Sequence, residues 1–156
     1  MKKTFKYLLI IFLGASGFQS LKAQDSIKVY DLAVLIDHER DENFMNDSIP
    51  IPPGIKELDF SVLFKVNRPE DVDQVYIFLG SEKNASDYKQ VVMNIIKEGT
   101  ELFMISANNE KYTIYKNSAW FNTKIPVGQM ENIKWLTVYV KDKAGNLSDK
   151  KYFQVN

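Results

Sequence analysis

Apolar and polar side chains alternate most clearly between residues 57 and 66: Leu58, Phe60, Val62, Phe64 and Val66 share one side of an extended chain, while Glu57, Asp59, Ser61 and Lys65 share the other. A period of two marks a half-buried strand, so Leu58 to Val66 is expected to bury Phe60, Val62 and Phe64. Arg68, Pro69, Glu70 and Asp71 then make a turn. The next run, VDQVYIFLG, places Val75, Ile77 and Leu79 together, with Tyr76 and Phe78 on the reverse side. Upstream, Ile27 to Asp37 is rich in Val, Ile, Leu and Tyr without internal Gly or Pro, which reads as a first strand. The polar excursion that follows ends in Pro50, Pro52, Pro53 and Gly54; prolines there remove amide donors, so it reads as a crossing loop or ragged edge.

Tyr88 to Lys97 is ambiguous. Tyr88, Val91, Val92, Ile95 and Ile96 have helical spacing, with Ser86 or Asp87 available as a cap and Gly99 as a stop. The β-branched residues and the neighbouring strands favour a strand, and a short helix stays open as the alternative. Glu101 to Ser106 and Lys111 to Tyr115 flank the turn-forming ANNE as a hairpin, and Ala119 to Ile125 adds a short strand closed by Pro126.

The strongest local signal lies at the end of the chain. Leu136, Val138 and Val140 alternate with Trp135, Thr137 and Tyr139, a polar turn runs from Asp142 to Asn146, and Tyr152, Phe153 and Val155 form the returning strand. In the turn Asp142 can satisfy exposed amides and Gly145 can take a positive φ. VYVKDKAGNLS followed by a short terminal strand resembles the penultimate-strand, turn and last-strand region of bacterial immunoglobulin-like and fibronectin type III-like domains. The resemblance is strongest over Trp135 to Val155. It implies an all-β fold, an immunoglobulin-like antiparallel β-sandwich of about seven to eight strands, and a role in binding, spacing or adhesion.

The first 23 residues change the compartment. Lys2, Lys3 and Lys6 precede the apolar run Tyr7 to Leu13 and the small residues Gly14 to Gly17, the order of a bacterial signal peptide, with Ala23 before the expected cut and Gln24 as the new N-terminus. The apolar run is far shorter than the roughly 20 residues that span a bilayer, so no stable membrane span is expected after processing. The mature chain, 24–156, is then a single exported domain, periplasmic or extracellular. Losing the leader also removes four of the 20 basic residues and none of the 20 acidic ones, leaving a formal charge of minus four. That balance argues against nucleic acid as the partner. With no cysteine, disulfides and thiolate chemistry are excluded.

Little in the sequence suggests catalysis. His38 is the one histidine, so neither a Ser-His-Asp arrangement nor a multi-histidine zinc site has enough material, and the seven glycines make no phosphate loop. The acids Asp37, Glu39, Asp41 and Glu42, and the turn DKAGN, offer oxygens but not the twelve-residue calcium loop. No cofactor and no enzymatic activity are therefore expected. Trp120, Trp135, Tyr112, Tyr115 and Tyr139 could form a carbohydrate or peptide platform if several faced solvent together. The reading that results is a non-enzymatic module contacting a cell-envelope or extracellular protein, with a glycan-binding module as the alternative. A sandwich order would bring the loops Asn67 to Asp73 and Asp142 to Asp149 to one end, presenting Arg68, Glu70, Asp71, Asp73, Lys143, Asn146 and Asp149 as the expected protein-binding residues.

Overall fold

A computed structural model describes residues 26–37, 54 and 56–155. The expectations about the leader, the Ala23–Gln24 junction, His38, Glu39, Asp41, Glu42 and the prolines at 50, 52 and 53 fall outside the described residues. Nine antiparallel strands are present among the described residues: β1 (Val29–Asp37), β2 (Glu57–Val66), β3 (Val72–Gly80), β4 (Lys89–Glu98), β5 (Glu101–Ile105), β6 (Lys111–Tyr115), β7 (Ser118–Pro126), β8 (Trp135–Asp142) and β9 (Lys151–Gln154). They form one sheet in the order β1-β2-β7-β6-β5-β4-β3-β8-β9. The sheet curls until β1 comes beside β9, so it is nearly closed into a barrel. This corrects two expectations: there are nine strands rather than seven or eight, and the hairpin β5–β6 joins what would otherwise be two separate layers.

The residues of the alternating run behave as their pattern requires. Phe60, Val62, Phe64 and Val66 of β2 are buried with Val75, Ile77 and Leu79 of β3, Phe121 and Ile125 of β7, and Leu136, Val138 and Val140 of β8. Each such side chain contributes roughly 1.5–3 kcal/mol on leaving water, which makes this inner face the source of stability. The ambiguous segment is strand from Lys89 onward, paired with β3 from Gln74↔Asn94 to Leu79↔Lys89. The helical alternative fails because Met93 is fully buried on the inner face while Val91 and Ile95 flank it there, an arrangement of period two.

Turn chemistry fixes the connections. Gly99 takes φ +60 in the two-residue turn between Glu98 and Glu101, and Gly145 takes φ +93 in the final hairpin. Gly80 serves a different purpose: the loop 81–88 folds back so closely that a Cβ there would collide with the Ala85 carbonyl and the Asp87 carboxylate. Asp87 holds that loop by accepting the Ser81 backbone N–H at 3.0 Å and the Ser81 hydroxyl at 2.7 Å, and these bonds keep its carboxyl below the usual range.

Candidate functional site

The loops 67–71 and 142–150 do meet at one end of the sheet. Lys143 donates its backbone N–H to the Asp71 carbonyl at 2.9 Å and its ammonium to the Glu70 carbonyl at 2.7 Å. Arg68 pairs with Asp71 at 3.2 Å, and Asp73 with Lys141 at 3.2 Å. Asn146 is bound by both carboxylate oxygens of Asp142, which holds the Asp142 carboxyl below its ordinary range. Asp149 lends its carbonyl to the buried Ser148 hydroxyl, which accepts the Val140 N–H. All seven residues named from the sequence thus lie at this pole. Arg68, Asp71, Asp73, Lys143 and Asn146 are engaged within the loops or with Lys141 and Asp142, contacts that build the pole itself. A recess of about 220 Å³ between Arg68, Leu147 and Ile27 is the concavity there.

The aromatic residues separate onto two outer faces. On β3, β8 and β9, Tyr76 and Tyr139 stack with parallel rings 4.6 Å apart, and Phe78 meets both edge-on. Lys150 lies over the Tyr139 ring and Lys83 over Trp135 and Tyr152. Asn84, at φ +67, ties the loop 81–88 across this face: its side-chain oxygen accepts from Lys150 and Tyr152, and its N–H donates to the Thr137 hydroxyl. Burial, with the neighbouring Tyr76, raises the Tyr139 pKa. These rings face one another and their lysines more than they face solvent.

The outer face of β1, β2 and β7 is different. Register places Ala33, Leu63 and Trp120 in one row across the three strands, with Leu35 one step along β1. Leu35 and Trp120 are each 55% exposed and Leu63 is 38% exposed. Nearer the pole, Lys65 pairs with Asp31 at 2.8 Å, and Tyr115 projects from the end of β6. Beside Trp120 runs a groove of about 310 Å³ lined by Lys111, Tyr112, Thr113 and Asn122. Sequence reasoning named Trp120, Tyr112 and Tyr115 but missed Leu35 and Leu63. The signal was present, since Leu63 is the one apolar residue in the polar row Glu57, Asp59, Ser61, Lys65.

Adjoining this groove is a recess of about 560 Å³ between the start of β4 and the later half of β7. Lys89 crosses its floor to donate to the Thr123 hydroxyl. Glu110 accepts from the Tyr112 hydroxyl at 3.1 Å, and burial followed by this carboxylate raises the Tyr112 pKa to about 12. Among the described residues no group of three His, Asp or Glu is placed to hold a metal ion. Searches against protein-family models, curated proteins and solved structures find no match to this chain.

Proposed function

We propose that the mature chain is an exported, non-enzymatic binding module that acts through contact with a protein of the cell envelope or its surroundings. The observation that carries this reading is the exposed row Leu63–Trp120 with Leu35 beside it, on a face bordered by the Asp31–Lys65 and Asp59–Lys124 pairs. An apolar centre with a charged rim is the composition of a protein-binding patch. A tryptophan at its middle suits the role of anchor.

The fold reading is the immunoglobulin-like one. The orders β1-β2-β7-β6 and β9-β8-β3-β4-β5 correspond to strands A-B-E-D and G-F-C-C′-C″ of a variable-type immunoglobulin domain, which supports that resemblance strand by strand. Sugar recognition draws less support, because a sugar stacks on a free ring face and the Tyr76 and Tyr139 faces are turned to each other.

The test is capture from the protein's own cell envelope by the mature chain, with bound protein and glycan both identified. A protein captured by the wild type and lost when Leu63 and Trp120 are both changed to Ser is the expected result. Capture of glycan alone, or of protein equally well by the double variant, contradicts the assignment of this face.

A further inference from the structure

The curled sheet is broken part-way round. β5 and β6 have five residues each, against ten in β4 and nine in β7. β5 pairs with β4 only from Asn94 to Glu98, and β6 pairs with β7 only at Ile114 and Tyr115. Residues 89–92 of β4 and 121–124 of β7 therefore flank the 560 Å³ cleft, with no strand between them among the described residues.

The direction of the main-chain groups along these edges follows from bonds at the strand ends. Val66 donates to the Asn117 carbonyl and Val127 to the Lys56 carbonyl, both in the β2–β7 register. Odd-numbered β7 residues thus turn their main-chain groups to β2, and Asn122, by alternation, turns its own into the cleft. The Tyr112 hydroxyl, 3.4 Å from the Asn122 carbonyl oxygen, agrees with that direction. Across the gap, Lys134 donates to the Gly80 carbonyl, so even-numbered β3 residues face β8 and odd-numbered ones face β4. Val91 and Met93 are engaged by their partners Ile77 and Val75, and Gln90 and Val92 present their N–H and C=O groups to the cleft.

Charge adds a second condition. Asp59 has Lys124 at 3.8 Å, and Glu110 accepts from Ser106 and Tyr112. Lys89 points inward between the edges, and among the described residues it meets a neutral hydroxyl and no carboxylate. The cleft thus combines two rows of main-chain donors and acceptors with one cation, Lys89, that meets no carboxylate and one carboxylate, Glu110, that meets only hydroxyls.

We propose that this cleft takes, by strand addition, an extended segment of the partner polypeptide that carries one acidic side chain for Lys89. Its main chain pairs with Asn122 on one side or with Gln90 and Val92 on the other, and an inward-facing Glu or Asp side chain meets the Lys89 ammonium. An outward-facing side chain of the same segment reaches the groove beside Trp120. The proposal rests on the protein-contact reading and names the form in which the partner is recognised.

The probe is a short peptide of alternating threonine and valine with one central glutamate, titrated into the isotope-labelled mature domain and followed by amide NMR. Shifts centred on Gln90, Val92 and Asn122 are expected, with about tenfold weaker binding when the glutamate is replaced by glutamine. Methylating alternate peptide nitrogens along the pairing edge should abolish binding, and in Lys89→Gln the glutamate and glutamine probes should bind alike. Absence of shifts at all three amides at millimolar probe overturns the proposal, as does undiminished binding of the N-methylated peptide. Stronger binding to Lys89→Gln also overturns it, since that lysine would then be a guard against edge pairing. Envelope capture separates the two levels of the argument: a protein retained by Lys89→Gln but lost with the Leu63 and Trp120 double variant overturns the cleft alone. No protein captured by the wild type overturns the reading beneath it.

Discussion

Among the described residues the sheet fails to close in two places, and the two are built differently. At the seam between its terminal strands, β1 carries a bulge between Tyr30 and Ala33 with Asp31 at φ +51, and Lys65 of β2 reaches across to the Asp31 carboxylate. β9 on the other side has only four residues, begins with Lys151, and follows Lys150. Bulges, short strands and lysines are the devices by which a terminal edge is kept from recruiting another chain. At the inner gap, Gln90, Val92 and Asn122 offer regular edges, with Lys89 on the floor and Asp59, Glu110 and Lys124 around it. The difference teaches that the terminal edges are blunted while the inner pair stays regular, which is the condition the proposed strand addition requires.

Phe60 stands in the core between the two openings, on a strand shared by β1 and β7, and is fully buried. Phe60→Ala should cost about 3–5 kcal/mol in equilibrium unfolding, a large part of the roughly 5–15 kcal/mol available to a domain. A loss below about 0.5 kcal/mol would mean that seam and gap do not rest on one core. A smaller effect probes the seam alone. Asp31→Val places a β-branched residue in a left-handed conformation and should cost about 1–2 kcal/mol, whereas Asp31→Gly should stay within about 1 kcal/mol of the wild type. Equal losses from the two variants in urea unfolding would show that the bulge is not held at positive φ.

The smallest effect belongs to the gap. Tyr112 is held neutral by burial and by Glu110, with its pKa moved from 10.0 to about 12. Folding favours the neutral phenol, so this contribution to stability is complete below pH 10 and is lost as pH rises from there toward 12. Tyrosinate absorbance should show a group titrating near pH 12 that disappears in Tyr112→Phe, while Tyr88 and Tyr139, which burial also raises, remain. Retention of that group in the variant would place the late titration elsewhere.

What could be read from the sequence follows from where each pattern originates. The β2 alternation was legible because one face of that strand is buried and the other is wet for most of its length. β4 was ambiguous because apolar residues lie on both of its sides: Val91, Met93 and Ile95 toward the core, Val92 and Ile96 half-buried on the other. The meeting of loops 67–71 and 142–150 was legible from hairpin order alone, but the way their charges are used was not. Arg68, Asp71, Asp73 and Lys143 find partners within the pole or on the adjoining strands, a matter of a few ångströms that spacing does not encode. The inner gap depends on β6 leaving β7 after two paired residues, and such long-range register has no signature in a single strand.

Amide hydrogen exchange on residues 24–156 tests the open inner gap most directly. The account predicts alternation along each edge: Val91, Met93, Phe121 and Thr123 exchange slowly, because their amides pair with β3 or β2, while Gln90, Val92 and Asn122 exchange fast. Uniform slow exchange through Gln90–Met93 and Phe121–Thr123 would mean that the two edges are already bonded, and would contradict both the open gap and the strand addition proposed for it.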